Sequence, residues 1–435
     1  MVNNFINDQI PMKISKLLSC LALLCLAAGA SAQNTDSLKL SLPEAEKLFV
    51  KNNYQLIAQQ YQTDQAKADV ITARLFDNPE ISYENQLYNH ETKKFLQTNS
   101  TTGEYQAALS QVIKLAGKRN KNIQLATAGV KLSEYQYFDL MRTLRFSLTS
   151  TFYKTYYDQQ SAKVYEQQIN SLKLLLTANE QQLKMGNVAV KDIIRIKSLL
   201  YSLQGEYSSL MNDIEDLQTQ IKLLTNIKPD AKLALVVSPE EEENYQLDKQ
   251  IYTNLLDSAR NNRADLQLAK TGIVYAENNL KLQKANAIPD VELSLTYDLQ
   301  GSYPTKYTGI GVKLPIPLFN RNQGEIKKAK IAIDAGKASL NQQDAILENE
   351  VYNSYASALR TENLYRGFDK NFNADFDKLI SEVIKNFKNR NISLIEFLDF
   401  YDSYKASTLQ MNTLKYQRMN AKEELNFVTG SNIFK

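Results

Sequence analysis

The chain has 435 residues, 51 basic against 48 acidic, and a formal net charge of +3, so it carries no basic stripe for nucleic acid. With 14 glycines, 9 prolines, no tryptophan and one histidine, His90, the composition suits long helices and leaves histidine acid–base catalysis or a multi-histidine metal site without material. Leu115-Ala116-Gly117-Lys118-Arg119 lacks the upstream glycine of a phosphate-binding loop, so we expect no enzyme, no cofactor and no metal site.

Residues 1–32 read as a secretory signal peptide: Lys13 and Lys16, an apolar run from Leu17 to Ala28, then Ala30-Ser31-Ala32. That apolar run is too short to span a bilayer. Cys20 and Cys25 both fall inside it, so the exported chain is expected to carry no thiol. Beyond it no stretch approaches the length of a transmembrane helix, and any membrane-spanning part must be a β-barrel.

Residues 33–228 form a first unit. Ser41, Pro43 and Glu44 open a helix that is expected to run to about Phe76 and stop at Asp77-Asn78-Pro79. The pattern then switches to period two over a hairpin at 79–113. Ile81, Tyr83 and Leu87 take one face, with Glu80, Ser82, Glu84 and Gln86 on the other. A polar loop from His90 to Thr101 leads to a second strand through Tyr105, Ala107, Leu109 and Gln111. From Lys118 to Lys184 there is no proline, and apolar residues recur at helical spacing, as in Leu144, Leu148, Phe152 and Tyr156. At 1.5 Å per residue this predicts roughly 100 Å of helix, longer than any compact domain is wide. Gly186-Asn187 breaks the run, and a shorter helix returns through Ile194, Leu199, Leu203, Leu210 and Leu223. Residues 229–250, with Pro229, Pro239 and Glu240 to Glu243, read as a solvated linker.

Residues 251–435 repeat this grammar, which marks an internal duplication. Asn52, Leu56, Ala66 and Pro79 recur as Asn262, Leu266, Ala276 and Pro289, and Leu224-Thr225 recurs as Val428-Thr429. The second hairpin, 289–317, alternates more cleanly: Val291, Leu293, Leu295, Tyr297 and Leu299 against Asp290, Glu292, Ser294, Thr296 and Asp298. After the turn Gly301-Ser302-Tyr303-Pro304 a second strand alternates Ile310, Val312, Leu314 and Ile316 with Gly309, Gly311 and Lys313, and a long helix is then expected to reach Lys388, break at Asn389-Arg390-Asn391 and return to Val428. Strands of about ten residues are long enough to cross a membrane when tilted. Two hairpins from one chain leave open sheet edges, and three copies would remove them with twelve strands.

Several segments together resemble the TolC family of outer-membrane efflux proteins. They are Asn52, Leu56 and Asn78-Pro79 in the opening helix, Leu314-Pro315-Ile316-Pro317-Leu318-Phe319-Asn320-Arg321-Asn322-Gln323-Gly324, and Leu425-Asn426-Phe427-Val428-Thr429-Gly430. Gln111 and Lys114 through Arg119, with the Asn-Arg-Asn-Gln-Gly run, are similar to the cobalt-zinc-cadmium and copper-silver efflux members. The resemblance implies a mainly α fold with a transmembrane β part: a homotrimer whose 12-stranded β-barrel, four strands per protomer, continues into a long periplasmic α-helical barrel. It implies a passive exit duct in the outer membrane, serving an inner-membrane pump of the RND type through a periplasmic adaptor and carrying heavy-metal cations. A duct for drugs or for type I protein secretion and a non-conducting periplasmic coiled-coil scaffold are the alternatives. The resemblance also places adaptor docking at the helix tips, on Gly186, Asn187 and Val188 and on Arg390, Asn391 and Ile392. Arg390 departs from the family's usual glycine. Glu396 and Asp399 align with the acidic positions of the channel constriction, where three copies would form carboxylate rings that favour cations.

Overall fold

The computed structural model describes residues 37–239, 247–300, 304–368, 372–389 and 391–434. The expected signal peptide with Cys20 and Cys25, the acidic run from Glu240 to Glu243, the turn residues Gly301, Ser302 and Tyr303, and Arg390 lie outside the described residues.

The chain opens on a short strand, β1 (Leu38–Ser41), which feeds helices α1 (Leu42–Asn52) and α2 (Tyr54–Arg74). Strands β2 (Glu80–Asn85) and β5 (Tyr105–Ile113) follow, enclosing a two-residue hairpin, β3 (Tyr88–Asn89) with β4 (Lys94–Phe95). Helix α3 (Lys118–Lys184) runs 67 residues without interruption, about 100 Å, and α4 (Val190–Thr225) returns beside it. After β6 (Leu233–Val236) and a single 3-10 turn at Leu247–Lys249, the second copy begins with α5 (Tyr252–Asn262) and α6 (Ala264–Asn286). Strands β7 (Val291–Asp298) and β8 (Tyr307–Lys313), then α7 (Gln323–Gly367), α8 (Phe372–Lys388) and α9 (Leu394–Thr429), complete it.

The two hairpins join into one antiparallel sheet of order β2-β5-β7-β8, so the seam between the copies runs between β5 and β7. At its foot Asp290 accepts from the Leu115 N–H (2.9 Å) and pairs with Lys118 (2.7 Å), tying the start of α3 to the start of β7. Farther down, β1 pairs in parallel with β6, Leu38 opposite Leu233. Phe49, Leu148, Phe152, Tyr153, Ile221 and Leu233 bury the first copy's apolar stripe, and Leu255, Leu266, Leu347, Val351 and Leu425 bury the second's. A third cluster, with Leu172, Ile196, Leu200, Val383 and Phe397, ties both helical hairpins together toward their tips.

Backbone details carry the duplication. The opening helix of each copy is not continuous: it kinks at Asn53 (φ −70, ψ 116) and at the matching Arg263 (φ −67, ψ 122). In the first copy Asn53 Oδ1 accepts from the Gln55 and Leu56 N–H groups, both at 3.0 Å, and its amide donates to the Leu224 carbonyl at 3.0 Å. Each return helix ends at a left-handed residue, Asn226 (φ 56) or Gly430 (φ 64), after a threonine whose hydroxyl donates 2.7 Å back to the fourth carbonyl before it. Gly430 presses on the second kink, where a Cβ would lie 3.1 Å from the Arg263 nitrogen. Gly430→Ala is therefore expected to combine left-handed strain with backbone crowding, lowering stability by about 2 kcal/mol in denaturant unfolding.

Arg263 is 2% exposed and is held by Asp265 and Glu350. Asp265 also accepts from the Leu266 N–H (2.9 Å), Gln343 (2.8 Å) and Arg142 (3.4 Å). Burial pushes the Asp265 carboxyl up, but the hydrogen bonds and charge of Arg263, the charge of Arg142 and the Leu266 N–H together hold it below the ordinary aspartate value. Because the folded value is depressed, this contribution is complete above about pH 5 and is lost as pH falls through the folded value. Asp265→Asn should cost about 3 kcal/mol at neutral pH by leaving Arg263 under-compensated, and should flatten the decline in stability below about pH 4. Unfolding midpoints measured across pH read both effects.

The second long helix differs from expectation. It does not run to Lys388: α7 ends at Gly367, Phe368 is extended (φ −79, ψ 138), and α8 restarts at Phe372. Gly367 lacks the side chain that would favour helix at this point, and the first copy has no glycine in the matching stretch.

Candidate functional site

Two regions of the described chain could form or guard a channel: the sheet and the helix tips. In the sheet, cross-strand partners share a face. Ile81↔Leu109, Leu109↔Leu295 and Leu295↔Ile310 set one apolar row, and Gln111↔Leu293 with Leu293↔Val312 set the next. Glu80↔Ser110, Ser110↔Ser294 and Ser294↔Gly311 place polar or small residues on the opposite face, together with Glu84, Glu292, Asp298 and Lys313. Lys313 and Glu292 pair there at 3.0 Å. The apolar face is open: Ile310 is 84% and Ile81 82% exposed. Near the loop end of that face Tyr83, Tyr105 and Tyr297 line up with ring centroids 6.0 and 5.9 Å apart. Aromatic rows of this kind sit at membrane interfaces. Both edge strands, β2 and β8, carry unpaired backbone groups on their outer sides.

At the far end of the helices the two tips meet. A cleft of about 680 Å³ is lined by residues of both, including Asn187, Val188, Asp192, Phe387, Ile392 and Phe397. The tips use one device. The Asn187 N–H donates to the Gln182 carbonyl (2.9 Å) while its amide reaches the Gln182 side chain (3.0 Å); Asn391 does the same with Asn386, at 2.9 and 3.2 Å. Gly186 supplies the left-handed turn (φ 76) that lets the first tip close. Gly186, Asn187 and Asn391 are exposed, while Val188 and Ile392 are half-buried against the cleft. Arg390, the remaining tip residue expected from the sequence, lies outside the described residues.

Glu396 and Asp399 lie exposed in the first two turns of α9, away from the stacked rings of Phe387, Phe397 and Tyr401 that face the core. Asp399 makes no ion pair among the described residues. Glu396 has a second employment that sequence reasoning missed. It accepts from the Ser393 N–H at 2.8 Å while Ser393 Oγ accepts from the Glu396 N–H at 3.2 Å, a capping box that starts α9. The Ser393 backbone N–H, then its side chain, hold the Glu396 carboxyl below the usual glutamate range. The spacing Ser393-Leu394-Ile395-Glu396 is the signal that could have found it.

A second missed feature joins the two hairpins. Glu206 on α4 accepts from Tyr165 O–H of α3 (3.0 Å) and pairs with Lys405 of α9 (3.1 Å). Burial pushes Glu206 up, yet Lys405, Tyr165 and Ser202 outweigh it and hold the carboxyl low, while burial and Glu206 push Tyr165 up to about 12. Nothing in the residue spacing announces a contact spanning 199 positions. Among the described residues no group of histidine, cysteine and acidic side chains could hold a metal ion, and no helix is long and apolar enough to cross a membrane.

Residues 255–365 match the family described as Outer membrane efflux protein. The chain is 22% identical over 347 residues, 77% of its own length and 78% of the relative's, to the cobalt-zinc-cadmium resistance protein CzcC of Cupriavidus metallidurans. Its fold is similar to that of CusC (TM-score 0.72, 16% identity, covering 92% of this chain and 96% of that one). It is likewise similar to the Campylobacter jejuni outer membrane channel CmeC (TM-score 0.72, 15% identity, 90% of this chain and 86% of that one). The amphipathic four-stranded sheet, the duplicated helical hairpins and these matches agree: residues 255–365 match the Outer membrane efflux protein family, and the chain as a whole has the fold of the outer membrane channels CusC and CmeC.

Proposed function

We propose that three copies assemble into a passive exit duct of a tripartite efflux system. The observation that carries this reading is the sheet, apolar on one face, polar on the other and open at both edges. Pairing β8 of one copy with β2 of the next closes twelve strands, three times four, into a barrel that turns Leu295 and Ile310 to lipid and Glu80, Glu84 and Ser110 to water. The helices then continue the conduit into the periplasm. In this reading the two repeats, residues 33–228 and 251–435, flank a linker at 229–250. The joined tips, with Gly186, Asn187, Val188, Arg390, Asn391 and Ile392, are the docking end for a periplasmic adaptor, and through it for an inner-membrane pump of the RND type. Heavy-metal cations are the proposed cargo. The likeness to CzcC supports this, as do the acidic side chains Glu80, Glu84, Glu292 and Asp298, which outnumber Lys313 on the water-facing side.

Planar-bilayer recording of the detergent-purified protein tests the duct directly. Discrete conductance steps are expected, from particles whose native mass corresponds to three chains. A particle of that mass without steps would make the assembly a scaffold.

A further inference from the structure

The hairpin β3–β4, between β2 and β5, stands at the end of the sheet opposite the helices. Its surface is unlike a solvated loop. Leu87, Phe95 and Leu96 are 67%, 68% and 57% exposed. Leu96 is held at φ 47, a left-handed conformation that is costly for a γ-branched residue and that asparagine or glycine would occupy with less strain. The hairpin is nevertheless firmly built. Asn89 Oδ1 accepts from the Glu91 N–H (2.9 Å) and the Thr92 N–H (3.2 Å), its amide reaches the Thr102 carbonyl (3.1 Å), and Thr92 Oγ1 donates to Gln97 (2.7 Å). Tyr88 packs against both Phe95 and His90 with ring centroids 4.9 Å away. This hydrogen-bonded loop presents Leu87 and Leu96 on one face, and Phe95, opposite Tyr88, on the other.

Two further observations say what covers them. The Gln86 N–H still donates to the Glu104 carbonyl (3.0 Å), carrying the ladder one residue past β2, so Leu87 falls on the face of Ile81 and Tyr83. The Leu96 N–H donates to the Leu87 carbonyl at 3.0 Å, placing the two leucines side by side. The apolar stripe of the sheet therefore continues beyond the tyrosine row. Beside it Lys93 and Lys94 are exposed and form no ion pair among the described residues. Apolar side chains flanked by unpaired cations match a surface of acyl chains beneath anionic headgroups.

We propose that this hairpin is a foot on the outer leaflet: Leu87 and Leu96 enter the headgroup–acyl boundary, and Lys93 and Lys94 bind the phosphates of phosphorylated lipid. The inference rests on the barrel reading and adds to it a specific lipid contact. It gives each protomer a contact with the outer leaflet beyond the barrel wall, at the level where its tyrosines end.

The absence of tryptophan from the chain makes the test clean, because Leu87→Trp introduces a single fluorophore on an exposed apolar position of that face. The variant is reconstituted in phosphatidylcholine vesicles with and without lipid A, and with bromine-labelled phosphatidylcholine as quencher, and its conductance is recorded in parallel. The expected result is an emission maximum shifted to shorter wavelength, quenching by the brominated lipid, and a further shift as lipid A is added. In that background Lys93→Gln and Lys94→Gln should each raise the lipid A fraction needed for half of the shift by about fivefold at low salt, with lipid quenching retained. Conducting channels whose tryptophan emits as in water and is not quenched would overturn this inference alone. Vesicles with neither conductance steps nor quenching would overturn it together with the duct reading.

Discussion

Leu295→Arg is expected to abolish assembly and conductance altogether. Leu295 occupies the middle of β7, opposite Leu109 on one side and Ile310 on the other, at the centre of the apolar face. A single arginine facing lipid at the bilayer midplane costs about 2–4 kcal/mol, and a closed trimer would bear about 6–12 kcal/mol in total. That is of the order of the whole net stability of a folded domain. Ser110→Arg is the matched control. Ser110 is cross-strand partner to Glu80 and Ser294 on the opposite face, where an arginine meets water and nearby carboxylates. This variant should assemble and conduct, with altered ion selectivity. Trimer yield after detergent extraction reads both variants. Equal tolerance of the two arginines would mean that neither face contacts lipid, and the barrel reading would fall.

The contrast works because period-two alternation is a property of single strands, and it was legible in the residues. Ile81 and Tyr83, or Leu293 and Leu295, announce their face without reference to any other part of the chain. The uninterrupted helix from Lys118 to Lys184 was legible for a similar reason: helical spacing and the lack of proline are local facts. What escaped were features fixed by a partner distant in sequence. The pairing of β1 with β6 joins residues nearly two hundred positions apart, and the alternation of Leu38-Lys39-Leu40-Ser41 spans only four residues, too short to mark a strand by itself. The kinks at Asn53 and Arg263 depend on where the return helices end, through the Leu224 carbonyl in one copy and the Gly430 backbone in the other. The Glu206–Lys405 contact likewise exists only because two hairpins pack together. The break after Gly367 is different: its glycine was visible, but one glycine in an otherwise helical run is a weak signal. At the tips, sequence reasoning named the residues. It did not show that both asparagines close on the residue five positions back, or that one cleft joins the two tips.

The constriction assignment leads to the second large effect, and the capping geometry decides how it must be measured. If Glu396 and Asp399 form rings in a trimer, a cation about 6 Å from three carboxylates gains about 2 kcal/mol in a water-like dielectric, and an anion loses as much. Screening at physiological salt reduces this, leaving roughly a tenfold change in the cation-to-anion permeability ratio when one ring is removed. Asp399→Ala should show the full effect: larger unitary conductance and weaker cation preference, with unchanged stability, because Asp399 is exposed and unpaired among the described residues. Glu396→Ala would mix two causes, since it also removes the capping box with Ser393 and frays the start of α9. Glu396→Gln separates them, because glutamine can still accept from the Ser393 N–H while the charge is gone. The two clean variants, Asp399→Ala and Glu396→Gln, should therefore shift the reversal potential in the same direction under a salt gradient, and their combination should shift it further. A combined variant with the wild-type reversal potential and step size would place these carboxylates on an outer helix face, away from any ion path.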